Sequence, residues 1–475
     1  MDNWSSRPEF VLRHGEDAWA QHCGVSCDIL VPLLELDGGA DMPNKAWFEV
    51  APSAARLTGS LRDIGYDFPT AVADVVDNSV AAGATRVEIM IEFAGSRSRV
   101  YIADDGHGMS PAAMLEGLRL GTRRSYRQGE LGRYGLGLKT ASLSQCRSVA
   151  VISRSTPDVV RTAARVLDLD VVEEWDQWVI VDPGADPDVA RARQWLAEGT
   201  GTVILWRNLD RVLPEKRPEG GWARRRLELL ATKTAEHLGI VFHRFLEGIG
   251  DRTPLVITVN GQKVKAWNPF APDEEACNEL PPQRFEVAVG EVSGHVGLRR
   301  FILPSRDRFS SPAEFERLSG PLNWNRQQGI YVYRADRLVQ WGGWNGIRGI
   351  DEHTKLARAA LDFDTDLDVA FNINVAKMRV SLPPQLRQMI EAPVNELCIY
   401  ANDAYRRSAR TKAKPVPANL DAAPDVRAAA QAVSTAGLAL RAAAMQAGEW
   451  EAWQRIAALL RREAPEIAES LQLND

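Results

Sequence analysis

The feature that most constrains this chain is a strand-like run that stops on two acids and a glycine pair, "VYIADDGHGMS", residues 100–110. It places Asp104 at a strand end, followed by Asp105, Gly106, His107, Gly108 and Met109. Glycine lets backbone bend freely and lets a flat ligand approach the main chain. A carboxylate held there is a good acceptor for an exocyclic amine. His107, between the glycines, reads as an exposed turn residue rather than a ligand.

Two further stretches flank this one. Upstream is "ADVVDNSVAAGA", residues 73–84, a helical pattern carrying Asp74, Asp77 and Asn78. Asp and Asn are poor residues for a helix interior. Asp74 and Asn78 are four apart and share one helix face, while Asp77 turns toward a different surface. Asp74 can take a proton, and the Asn78 amide oxygen suits a hard cation. Taken alone, this helix is equally readable as a solvated face with local caps. Downstream is "GELGRYGLGLKTASLS", with glycines at 129, 132, 135 and 137 feeding an apolar helix start. Bare backbone N–H groups at such a junction cradle phosphate oxygens. The glycine spacing is neither that of a Walker A loop nor that of the dinucleotide fingerprint.

The ordered set resembles the Bergerat-type ATPases of the gyrase B, heat-shock chaperone, histidine kinase and MutL superfamily (GHKL). "DNSVAAGATRVEI" is most similar to MutL and MORC proteins, and "LGRYGLGLKTASLS" to MORC and related bacterial proteins. The resemblance is strong over residues 57–210 and looser over 223–390. It implies an α/β sandwich ATPase domain, an α/β transducer domain of the ribosomal S5-like kind, and a short helical C-terminal tail. The cofactors it implies are ATP and Mg²⁺. Asn78 would ligate the Mg²⁺, Asp104 would accept the adenine amino group, and Gly106 and Gly108 would let the base lie close, beside Met109. Gly132, Gly135, Gly137 and Leu138 would give backbone contacts to the phosphates, with Arg133, Tyr134, Leu136 and Lys139 among the nucleotide contacts. Thr202, in "GTVILWRNL", matches the Gly-Thr that supports the adenine side of the pocket. Residues 119–130 occupy the place of the family's ATP lid. Its arginines at 119, 123, 124 and 127 are open to two readings, phosphate contact or loop solvation.

Two positions depart from the family pattern. Asp74 stands where the family normally has Glu as general base. A misplacement of about 1 Å can cost about 100-fold in rate, so hydrolysis is expected to be slow. Ala81 stands where MutL-like helices usually carry Asp. In the second region, Lys377 in "FNINVAKMRVSLP" resembles the sensor lysine of a transducer domain, with a surface lysine as the alternative. "GIYVYRADRLVQWGGW" resembles a transducer strand pair with an Arg-Ala-Asp turn. His237 and His243 lack a metal partner set and are expected in packing roles.

Texture divides the chain into an N-terminal arm (1–50), the ATPase domain (51–212), the transducer domain (223–400), a linker (408–424) and a helical tail (425–475). The net charge is −6, so nucleic acid would have to meet local basic patches. Candidates are Arg224 to Arg226, Arg299 with Arg300, and Arg406, Arg407, Arg410, Lys412 and Lys414. Five dispersed cysteines predict reduced thiols, a cytoplasmic setting and no zinc site. No signal peptide and no membrane span of about 20 apolar residues is expected. No nuclease metal site, MORC-type zinc module, kinase phospho-acceptor domain or gyrase-like cleavage domain is expected either. The resulting expectation is an ATP-driven, homodimerising switch or clamp on DNA or an effector protein, in genome maintenance or phage defence. Its rivals are a chaperone-like ATPase on protein clients and a nucleotide-locked structural subunit.

Overall fold

The computed structural model describes residues 50–63, 65–121, 137–155, 162–214, 218–248, 253–290, 292–373, 380–412 and 450–463. The elements below belong to the compact unit Ser53–Asp475. Helices α1 (Ala54–Arg62) and α2 (Phe68–Ala81) lead into strands β1 (Arg86–Glu92) and β2 (Arg99–Asp104). Next come α3 (Pro111–Leu118), α4 (Gly137–Leu143), β3 (Ser148–Arg154) and β4 (Ala163–Asp168). They are followed by α5 (Leu169–Trp175), α6 (Pro187–Ala192), β5 (Gly201–Arg207) and the long α7 (Gly221–Val241). After α8 (His243–Glu247) come β6 (Val256–Val259), β7 (Gln262–Lys263), β8 (Asn278–Val289) and β9 (Val292–Ile302). Last are α9 (Pro312–Leu318), α10 (Asn323–Gln327), β10 (Gly329–Arg334), β11 (Arg337–Gln340), β12 (Ala357–Phe363), α11 (Pro384–Lys412) and α12 (Trp450–Glu463).

The chain is α/β, with an ATPase-type sandwich followed by a further α/β domain. The first sheet has seven strands in the order β4-β3-β5-β2-β1-β6-β7. All neighbours are antiparallel except β1 and β6. Its central strands are buried on both faces, which is why "VAVIS" and "TVILW" read as continuous apolar runs rather than alternating ones. Val100, Ile102, Val149, Val151 and Ile204 pack with α2, α4 and α7 on one face. Tyr101, Ala103, Ala150, Ile152 and Val203 pack with α6 on the other. The period-2 alternation of a strand assigns them to opposite faces. Strands β6 and β7 extend this sheet beyond the Pro/Gly stretch at 213–222, where sequence texture put the boundary. Val256 pairs beside Arg86 and Val259 beside Ile89. The strand-like run "LVITVNG" carries no mark of which sheet it joins.

The second sheet has five strands in the order β11-β10-β12-β9-β8. Helix α11 covers one face through Leu386, Ile390, Val394, Leu397 and Ala401. The other face holds Phe270, Phe301, Tyr331 and Tyr333, with Ile240 from α7. Pro281 and Pro282 lie in β8 at the sheet edge, where the register breaks between Leu280 and Gln283. An edge bulge tolerates the missing N–H groups. Helix α11 runs to Lys412, so the expected linker from residue 408 begins inside a helix. "SARTK" consists mostly of adequate helix formers, and the first proline follows only at 415. Cys146, Cys277 and Cys398 are unpaired thiols. Among the described residues, no helix is long and apolar enough to cross a membrane.

The hairpin β10–β11 turns in two residues, Ala335 (φ 45°) and Asp336 (φ 68°). This left-handed pair gives a tight reversal that matches strand twist. Ala335 and Trp341 pack against the core of the first sheet. His237 stacks on Trp341, centroids 6.0 Å apart, and His243 packs edge-on against Tyr333 at 5.6 Å. The His243 Nδ1 lies 2.8 Å from the Ile240 carbonyl. Both histidines therefore serve packing, and burial lowers each to about 4 from an ordinary 6.5. The unfolded chain binds these protons below pH 6.5 while the folded chain refuses them until about pH 4. Stability should thus be fully present above pH 6.5 and decline as pH falls toward 4. The slope is at most about 1.4 kcal/mol per pH unit for each histidine. Denaturant titrations across this window should show it, and a flat profile would refute it.

Candidate active site

Helix α2 starts from Asp67, whose carboxylate accepts the Thr70 N–H in an ordinary N-cap. It ends at Gly83, φ 71°. There the Gly83 N–H bonds the Val80 carbonyl and the Ala84 N–H bonds the Ser79 carbonyl. This is the Schellman pairing, and it needs a residue that tolerates the left-handed backbone. "AAGA" is therefore the helix stop. The two acids of α2 are not on a solvated face: Asp74 and Asp77 are each 1% exposed.

The turn after α2 packs on the loop after β2. The His107 N–H bonds the Ala82 carbonyl. Asp104 Oδ1 accepts the Gly106 N–H at 3.0 Å, and Oδ2 accepts the Ser79 hydroxyl at 2.9 Å. Burial raises the Asp104 carboxyl above the usual range, and these two bonds oppose the rise. Asp105 instead accepts from the Thr85 and Arg86 N–H groups and the Thr85 hydroxyl, so it ties the loop to β1. His107 is exposed, with Nδ1 2.7 Å from the Gly108 carbonyl.

Thr202 pairs with Asp104 across β2 and β5. Its hydroxyl lies 2.9 Å from that of Ser153, which also accepts the Met109 N–H at 2.7 Å. Asp104, Gly106, Gly108, Met109 and Thr202 are thus gathered at one end of the first sheet. Gly108 has φ 68°, and a Cβ there would sit 2.0 Å from the Arg154 carbonyl oxygen. Gly108→Ala is expected to cost about 2–4 kcal/mol, from overpacking and left-handed backbone together. An unchanged denaturation midpoint would show that the loop can move aside.

Asp74 points the other way along α2. The Tyr66 hydroxyl donates to its Oδ2 at 2.7 Å, and burial pushes the Tyr66 phenol far above its ordinary value. Gly137, the first residue of α4, lies nearby: a Cβ built on it would be 3.8 Å from Asp74 Oδ2. Asn78 is exposed and donates Nδ2 to the Asp74 carbonyl at 3.1 Å. That bond uses the amide nitrogen and leaves the oxygen as the group available to a cation. No set of three His, Cys, Asp or Glu side chains that could hold a metal occurs among the described residues.

Leu138 packs against the first core. Lys139 turns inward: Nζ donates to the Gly117 carbonyl at 2.7 Å, and desolvation lowers it to about 8. In this arrangement it braces α4 against the end of α3. Arg119 pairs with Glu116 at 2.9 Å. Gly132, Arg133, Tyr134, Gly135, Leu136 and Lys377, with the lid arginines 123, 124 and 127, lie outside the described residues. Ala81 is exposed on α2.

Sequence reasoning did not single out Ser79, Tyr66, Ser153 or Arg337. Ser79 directly follows Asn78, and its small hydroxyl beside a buried strand-end acid was a usable signal. Arg337 had none, because it reaches Asp77 across 260 positions at 2.8 Å.

Residues 66–200 match the family described as histidine kinase-, DNA gyrase B-, and HSP90-like ATPase. The chain therefore carries a GHKL-type ATPase domain. Its MORC likeness also has a specific relative: Protein MICRORCHIDIA 2 of Arabidopsis thaliana is 30% identical over 129 residues, 26% of this chain and 21% of that protein. The chain thus matches about a fifth of that relative's length.

Proposed function

We propose that this protein binds Mg-ATP between α2, the β2–α3 loop and α4, and hydrolyses it slowly to drive a conformational switch. The observation that carries this reading is the division of labour along α2. Ser79 braces Asp104 at the end proposed for adenine, and Asp74 lies beside Gly137 at the end proposed for phosphate. Asp104 receives the adenine amino group, and Thr202 and Met109 shape the pocket around it. Asn78 holds the cation, which when bound neutralises charge on the phosphate oxygens. Asp74 accepts the proton of the attacking water as its oxygen bonds to the γ-phosphorus and ADP leaves. Lys377 is the proposed coupling residue to the further α/β domain, as transducer.

The output is an ATP-dependent homodimer acting as a clamp or scaffold on DNA or an effector protein, in genome maintenance or phage defence. Arg224 to Arg226 and Arg406 with Arg407 are exposed and suit phosphate contact. Arg299 and Arg300 do not. Arg299 pairs with Glu279 at 2.8 Å, and Arg300 is 3% exposed and bonded to Glu396 and the Pro393 carbonyl.

A second reading, a nucleotide-locked subunit with little turnover, is favoured by the burial of Asp74 under Tyr66 and Arg337. One experiment separates the two. Phosphate release is measured with Asn78→Ala as control, and the same samples are sedimented with ATP, ADP or no nucleotide. Turnover that is lost in the variant, with ATP-dependent dimers, supports the switch. Tight ATP binding and stable dimers without turnover support the locked subunit. No binding at all would sink both.

A further inference from the structure

Arg337 opens β11 in the further α/β domain, yet its guanidinium lies inside the ATPase domain's acid helix. Nε donates to Asp77 Oδ1 at 2.8 Å, and Nη2 lies 3.5 Å from Asp74 Oδ1. The Arg337, Asp74 and Asp77 side chains are 3%, 0% and 1% exposed. Two carboxylates three residues apart on one buried helix face would repel and lose hydration. A cation supplied from another element answers both costs, and breaking such an arrangement strands a buried charge. Asp74 is thereby gripped from two sides, by Tyr66 of its own domain on Oδ2 and by Arg337 on the Oδ1 side. The grip on Tyr66 continues into α4, because Tyr66 also bonds Thr140.

We infer that Arg337 is a positioning residue for ATP hydrolysis: through Asp77 and Asp74 it holds the base aimed, so the seat of the β10–β11 hairpin on α2 sets catalytic competence. This rests on the reading of Asp74 as general base. The placement is direct. The hairpin tip at Ala335 packs on the first core, and Arg337 follows two residues later. A shift of the further domain relative to α2 therefore moves the guanidinium away from Asp74 and leaves the acid pair uncompensated. Lys139 of α4 is turned away to Gly117.

The test uses the full chain. Arg337→Gln, Arg337→Lys, Asp77→Asn and Asp74→Asn are compared for kcat, KM and ATP affinity. Arg337→Gln should lower kcat by about 10–100-fold, as expected for a base displaced by about 1 Å, with KM and ATP affinity largely retained. Arg337→Lys should recover part of that loss. If Arg337→Gln misfolds, Arg337→Lys carries the comparison, since it keeps the charge and alters only the reach. Equal losses in kcat and ATP affinity, or no recovery in Arg337→Lys, make the pair merely structural and overturn the proposal. Wild-type turnover in Asp74→Asn would instead overturn the base reading and the proposal with it. Loss in Asp74→Asn beside full activity in Arg337→Gln would overturn the proposal alone.

Discussion

Asp74→Asn should lower the turnover number for ATP by about 10²–10⁴-fold, the usual contribution of a general base, while ATP affinity stays close to that of the parent. The asymmetry follows from position. The residues proposed to meet the base, Asp104, Met109 and Thr202, are held by Ser79, Ser153 and backbone N–H groups rather than by Asp74. Asn keeps the shape and still accepts from Tyr66, so the loss falls on proton transfer. Single-turnover phosphate release beside equilibrium nucleotide binding separates the two effects, and a parallel loss of affinity would mean that Asp74 holds the site together. Asp74→Glu is the informative companion. The side chain gains one methylene, and Gly137 leaves space beside Oδ2. If reach limits the natural enzyme, kcat rises by up to about 100-fold. A slower Glu variant would show that the Tyr66 and Arg337 contacts, rather than reach, set the rate.

The second large effect is on stability. Arg334 Nε and Nη2 bind the two oxygens of Asp368 at 2.6 and 2.7 Å, with side chains 2% and 4% exposed. Both charges have lost their water, and the bidentate geometry recovers that loss. Asp368→Ala leaves a guanidinium buried without this partner and is expected to cost about 3–5 kcal/mol. Removing both charges together, as Arg334→Met with Asp368→Leu, should restore most of it. Denaturant midpoints at unchanged m-value test this. Equal midpoints for the single and double variants would show that the pair carries no such penalty.

The parts of this molecule that were legible in its sequence are those fixed by local pattern. The run into Asp104 is a strand that ends at that acid, and "ADVVDNSVAAGA" is a helix stopped at Gly83. Both follow from short-range rules of periodicity and backbone freedom. Long-range pairing was not legible. "LVITVNG" pairs not only with the adjacent β7 but also with β1, far from it in sequence. Arg299 and Arg300 read as a basic patch, yet Glu279 of the paired strand β8 and Glu396 of α11 neutralise them. The sequence turns Asp77 away from Asp74, yet the fold sets Arg337 against both acids. A charged residue advertises its chemistry locally, but its partner is chosen by topology.

The two-residue turn at Ala335–Asp336 has a consequence for how this chain can change over time. Asp336 of the turn is committed to Arg244 at 3.2 Å, and its flanking arginines elsewhere: Arg334 to Asp368 and Arg337 to the acids of α2. Side chains alternate along a strand, so removing one turn residue would bring Leu338 into the place of Arg337 and offer an apolar neighbour to two buried carboxylates. Surface loops elsewhere can grow or shrink at small cost. This turn can drift by substitution but not in length, and any descendant that altered the count would have to reinvent the junction on both sides at once.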